Sequence, residues 1–108
     1  ELGELLRSGR LVAGPWFCMP DLWLVSGEAL IRNFNRGMDS MGGFGAKAAA
    51  VAYTPDLFGH IASMPMIYRG LGLPYCAVWR GLNDADVPSL FQWVAPDGSR
   101  VLTHHLPD

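Results

Sequence analysis

Two apolar runs with strand character, residues 47–53 and 75–80, flank an amphipathic helical segment, and this alternation leaves few folds open to the chain. The first run, Lys47-Ala48-Ala49-Ala50-Val51-Ala52-Tyr53, is nearly continuous in apolar side chains, the composition of a strand covered on both faces. The second, Tyr75-Cys76-Ala77-Val78-Trp79-Arg80, holds the residue types that strands prefer. Between them Met64, Ile67, Tyr68 and Leu71 recur at helical spacing, Pro65 suits a first turn, and Gly70 and Gly72 end the helix. Two buried strands joined by a helix of this length form a right-handed βαβ unit with parallel strands. The expected fold class is therefore α/β.

The remaining segments extend the same alternation. An opening helix closes at Ser8-Gly9, a short strand is expected over residues 10–13, and Gly14-Pro15 breaks it before an aromatic-rich loop over residues 16–23. Ser26 then serves as N-cap of a longer helix, Glu28 complements its dipole, and Leu30, Phe34, Met38 and Met41 form its apolar stripe until Gly42-Gly43 stops it. Residues 90–94 and 100–103 flank Pro96-Asp97-Gly98-Ser99, a strong hairpin signal.

The turn Tyr53-Thr54-Pro55-Asp56-Leu57-Phe58-Gly59-His60 concentrates the functional interest. Pro55 fixes its own φ and forces Thr54 into an extended conformation, so the strand ends here and Asp56 follows its carboxyl end. That is where open and barrel-shaped α/β folds gather ligand-binding groups. The structural alternative is an aspartate that caps a helix beginning near Ile61 or closes a turn on its own backbone, the commoner fate of loop aspartates. Spacing alone leaves both roles open.

Composition excludes several classes of partner. Eight Lys plus Arg against ten Asp plus Glu, with no basic run, argue against nucleic acid and against an anionic membrane surface. No apolar stretch reaches the roughly 18 residues of a membrane-spanning helix. Cys18 and Cys76 sit far apart in apolar surroundings without a partner pattern, which reads as two buried free thiols in a reducing, cytoplasmic setting. The chain opens without an initiator Met, on a helical pattern already under way, and stops at a strand end. Residues 1–108 are accordingly expected to form a single partial domain, an internal piece of a longer protein. The unpaired sheet edges of such a piece favour homo-oligomers.

Taken together, Gly14-Pro15-Trp16-Phe17 with Met19-Pro20-Asp21, the segment from Leu24 through Ser26-Gly27-Glu28 to Asn33, Pro55-Asp56-Leu57-Phe58-Gly59-His60, Val78-Trp79-Arg80-Gly81, and Ala95-Pro96-Asp97-Gly98-Ser99 through Leu106-Pro107 resemble the N-terminal catalytic domain of glycoside hydrolase family 38, in its bacterial branch. These pieces follow the family's order and cover nearly the whole chain from about Gly9 onward. The resemblance implies part of an irregular parallel β/α barrel belonging to a retaining α-mannosidase that acts on mannose-containing glycans. It matches Asp56 to the catalytic nucleophile and to one ligand of a divalent metal, zinc in most relatives with calcium or cobalt as alternatives.

The same resemblance places Arg80 near nucleophile and substrate, and makes Trp16 and Asp21 part of a loop bordering the sugar pocket. Where relatives commonly carry an acidic residue after the Pro-Asp pair this chain has Leu22, which weakens the case for Asp21. The bland roles are a surface ion pair for Arg80 and a core plug for Trp16. His60, four residues after Asp56, either orients that carboxylate from behind or simply packs. His104 and His105 are adjacent, point to opposite sides of a strand and cannot chelate one metal together.

The family's other metal ligands, an upstream His-x-Asp pair and a downstream histidine, and its general acid/base aspartate have no match in residues 1–108. The piece alone is therefore expected to be inactive. The competing class is a non-catalytic carbohydrate-binding or structural module with the same fold. A metal-dependent polysaccharide deacetylase would need two histidines four apart on one helical face, and the sequence holds none.

Overall fold

The computed structural model describes residues 1–83 and 86–107. Helix α1 (Leu2–Arg7) is followed by a long loop, α2 (Gly27–Gly43), strand β1 (Ala52–Thr54), α3 (Met64–Gly70), β2 (Tyr75–Val78), β3 (Leu90–Val94) and β4 (Arg100–His105). The four strands form one sheet in the order β1-β2-β4-β3. β1, β2 and β4 run parallel, with Ala52 opposite Cys76 and Val78 opposite His105, while β3 joins β4 as an antiparallel hairpin. The β1-α3-β2 unit is the βαβ arrangement expected from the sequence. β1 and β3 are the sheet's edges, and among the described residues the sheet does not close on itself.

Two strands are shorter than their apolar runs. β2 begins at Tyr75, after Pro74, so residues 47–51 have no opposite strand to bond and only Ala52–Thr54 enters the ladder. At the other end, Trp79 and Arg80 leave β2 because the Arg80 amide turns aside to donate to Pro55 O at 2.8 Å. No strand forms over residues 10–13. Ala13 O accepts one bond from Ala49 N, and Pro15, with no N–H to offer, denies that contact a continuation. β4 runs two residues beyond expectation, to His105, because its parallel pairing with β2 continues through Val78.

α2 starts where the cap predicts: Ser26 Oγ accepts from Ala29 N at 3.2 Å. Its buried stripe is Leu30, Phe34 and Gly37. Met38 is 43 % exposed, since the stripe 30-34-37 passes one position away from it. Gly37 takes the place the sequence assigned to Met38 because the helix meets bare backbone there. A Cβ on Gly37 would lie 2.0 Å from Pro15 O. Asn33, one turn earlier, holds the same loop through its Oδ1, which accepts from Phe17 N and Cys18 N at 3.0 Å each, and its Nδ2, which donates to Cys18 O at 2.7 Å.

The core lies between the sheet and the two longer helices, with Leu30, Phe34, Met64, Tyr68, Val78 and Val101 essentially inaccessible. Trp16 belongs to it. Its ring meets Phe34 edge-on at 5.4 Å and Tyr68 at 6.3 Å, which carries the aromatic packing on to Trp93. Cys76 is buried as expected. Cys18 is exposed, because the loop turns its backbone toward Asn33 and leaves the thiol outside.

Candidate functional site

β1 ends at Thr54, and the next two residues place Asp56 at the carboxyl edge of the parallel sheet. Its carboxylate is not absorbed by the fold. α3 begins at Met64 with Ser63 as its N-cap residue, so Asp56 caps no helix. Among the described residues no backbone N–H bonds the Asp56 side chain, which rules out an Asx turn as well. Its partner comes from the next strand: Arg80 Nη1 lies 3.1 Å from Asp56 Oδ1, the two side chains being 52 % and 62 % exposed respectively. A pair so open to water contributes little to stability, roughly 0–1 kcal/mol. Its consequence is orientation, with Oδ1 facing the guanidinium and Oδ2 left without a hydrogen bond among the described residues.

Arg80 is itself held from below and beside. Its guanidinium carbon stands 4.6 Å from the centre of the Trp79 ring, a cation–π contact. Its amide bonds Pro55 O, and the following residue, Gly81, packs directly on the turn after β1. A Cβ on Gly81 would meet Leu57 O and Gly59 N at 3.0 Å. The loops after β1 and β2 are thus joined backbone to backbone, and Asp56 and Arg80 share that junction.

Asp21 reaches the same region. Met19, Pro20 and Asp21 form one side of a groove of about 380 Å³, and Asp56 and Phe58 form the other. Asp21 Oδ1 is engaged with Trp23 N at 3.1 Å, closing its own loop. The structure therefore brings Asp21, Asp56 and Arg80 together and leaves Trp16 out. Trp16 is 9 % exposed and packs in the core, so the expectation of a pocket wall is corrected. An indole in a loop suits either place, and contact with Phe34 and Tyr68 decides for the core.

His60 also departs from the expected role. It does not reach the Asp56 carboxylate. Its Nε2–H donates to Arg80 O at 2.9 Å, and its ring stands edge-on to Trp93 at 5.4 Å. Burial lowers the His60 pKa below the ordinary histidine value, only partly opposed by the Arg80 carbonyl. Beyond His60 lies a second cavity, about 450 Å³ and mostly apolar, between Val78, Gly81, Phe91 and Trp93. It holds none of the other predicted site residues. At the end of β4, His104 is exposed and His105 buried, with His105 Nε2 2.9 Å from Trp79 O.

The donor set does not fit a divalent cation by itself. No three His, Cys, Asp or Glu side chains among the described residues come close enough to hold one, and the neighbour of Asp56 is a guanidinium. Trp79 and Asn33 are the contributors that sequence reasoning passed over. A Trp beside an Arg at a strand end, and an Asn facing a Pro-containing loop, are the signals that mark them.

A sequence profile of the Glycosyl hydrolases family 38 N-terminal domain matches residues 1–108. The chain belongs to this family. Among its relatives, alpha-mannosidase 2C1 of Mus musculus is 35% identical over 113 residues, covering 99% of this chain and 11% of its own length. A Halalkalibacterium halodurans protein that carries the name of a mannosylglycerate hydrolase is 33% identical over 114 residues, covering 94% of this chain and 13% of its own. The fold agrees with the solved structure of an alpha-mannosidase from Enterococcus faecalis V583, at a TM-score of 0.89 and 26% identity over 96% of this chain and 12% of that one. The chain thus spans about an eighth of the relatives it matches.

Proposed function

We propose that this chain is the segment of a retaining α-mannosidase that carries the nucleophile, Asp56, and that its sheet is part of the irregular β/α barrel of the longer enzyme. The observation that carries this reading is the presentation of the Asp56 carboxylate: past the end of a parallel strand, open to solvent, without a backbone hydrogen bond among the described residues, and turned by Arg80 so that one oxygen remains available. The names of the relatives supply the substrate class, since each contains a mannosyl unit.

In the proposed reaction, Asp56 attacks the anomeric carbon of a terminal α-mannoside while a second carboxyl group, roughly 5 to 5.5 Å away, protonates the departing oxygen. Water then releases mannose from the glycosyl-enzyme, with that second group acting as base. Arg80 keeps the nucleophile aimed and offers its remaining N–H donors to substrate hydroxyls, and Asp21 borders the groove in which the sugar sits. The second carboxyl belongs to the longer protein. The donors among the described residues do not hold a divalent metal by themselves; Asp56 would supply one oxygen to the zinc that the family resemblance implies, and the other ligands would come from the longer protein. A cytoplasmic location accords with the two free cysteines.

The test is Asp56→Asn in the full-length protein. Hydrolysis of an aryl α-mannoside should fall by at least about 1,000-fold, because an amide is no nucleophile at the anomeric carbon. Near-normal turnover would refute the assignment.

A further inference from the structure

The loop that carries Arg80 keeps one freedom that the sheet does not remove, rotation of the peptide joining Arg80 to Gly81. Gly81 has a φ of +85°, and a peptide followed by glycine can turn over without a side-chain clash. Such a rotation would swing the Arg80 carbonyl away from its present direction and loosen the seat of Gly81 on Leu57 O and Gly59 N, the junction by which the loop bearing Arg80 is fixed to the loop bearing Asp56. The carbonyl is held instead by His60. We propose that His60 is a positioning residue for the Asp56–Arg80 pair, acting through the Arg80 carbonyl as a neutral imidazole protonated on Nε2. The inference rests on the glycosidase reading and adds to it a residue that touches neither substrate nor nucleophile.

Three features of the ring fit this role. A carbonyl oxygen only accepts, so the nitrogen 2.9 Å from Arg80 O must carry the proton. Nδ1 is buried without a hydrogen-bond partner among the described residues, so a second proton there would be unsatisfied. The ring plane is set at 81° to Trp93, which fixes the direction of the Nε2–H. His60, Trp93 and the residue 80 peptide form a brace behind the ion pair, at the junction of the two loops that carry it.

Two variants of the full-length protein separate this role from simple packing. His60→Gln keeps a donor near the position of Nε2, whereas His60→Phe keeps the ring and the edge-on contact with Trp93 and loses the donor. With Arg80 misplaced by an ångström or so, kcat for an aryl α-mannoside should fall by up to about 100-fold in the Phe variant, with KM changing less. The Gln variant should recover most of it. Equal losses in both, or an undiminished kcat in the Phe variant, would overturn the proposal.

Asp56→Asn assayed alongside distinguishes the two levels: persistent turnover there removes the glycosidase reading itself, while its collapse beside a normal Phe variant removes only the brace. Nitrogen-15 NMR of the labelled native histidine provides a readout independent of how the variants fold. The Nε2–H tautomer is expected at neutral pH, and the Nδ1–H tautomer would overturn the proposal.

Discussion

The thiol of Cys76 is pushed up to about 12, chiefly by burial, with the nearby hydroxyls of Thr54 and Tyr68 pulling the other way. A thiol attacks as its thiolate, so at neutral pH Cys76 should be inert while the chain is folded, and exposed Cys18 should not be. Brief treatment of the native protein with iodoacetamide at pH 8, followed by peptide mapping, should find label on Cys18 and almost none on Cys76. Labelling of both at similar rates would mean that β2 opens readily. The same contrast shows what single residues disclose in advance. Asp56 was legible because Pro55 ends the strand just before it, and Arg80 because it closes the apolar run of the next parallel strand, although β2 itself stops at Val78. Cys18 and Trp16 were not. An apolar neighbourhood in sequence does not say which way a loop side chain turns, and here Asn33 and the Phe34 ring make that choice.

At the level of elements, the attachment of α2 to the loop before it supports the groove, because residues 19–21 continue directly from the segment that Asn33 and Gly37 hold. The two contacts should differ in consequence. Asn33→Ala removes three hydrogen bonds whose backbone partners are near enough to water to be re-solvated in part, a cost of about 1–2 kcal/mol. Gly37→Ala places a methyl where Pro15 O already stands, and the helix must move off the loop, at about 3 kcal/mol or more. Urea unfolding of the two variants should rank them in that order. An alanine at residue 37 that leaves the midpoint unchanged would show that the helix does not sit on this backbone.

Helix periodicity made α2 and α3 readable, Ser26 marked the start of α2, and the Pro-Asp-Gly-Ser turn announced the hairpin. Strand lengths were not readable, because a strand extends only as far as its neighbour can pair. Tyr75 sets the start of β1 from across the sheet, and Pro55 draws Arg80 out of β2. Met38 fell outside the core for a related reason: what faces α2 at that level is backbone, and a glycine suits it better than any side chain.

For the whole molecule, the decisive fact is that one exposed carboxylate and its arginine are not a glycosidase. The reaction proposed for Asp56 needs a proton for the departing oxygen, and the remaining carboxylate of the groove, Asp21, is bonded to its own loop through Oδ1. Around the groove, Trp23, Leu24 and Phe58 are 66 %, 82 % and 84 % exposed, a large apolar surface at the same end of the sheet as the nucleophile. Exposed apolar surface beside a groove that presents two carboxylates, on a sheet whose edges are unpaired among the described residues, is what a segment shows when further chain is needed to complete its site. The 108 residues expressed alone should therefore be catalytically silent toward an aryl α-mannoside and should elute from a sizing column as dimers or larger species. The full-length protein, assayed in parallel, should hydrolyse the same substrate and lose that activity with Asp56→Asn. Turnover by the isolated segment would require its proton donor to lie within residues 1–108, and Asp21 would then be the first carboxyl group to replace.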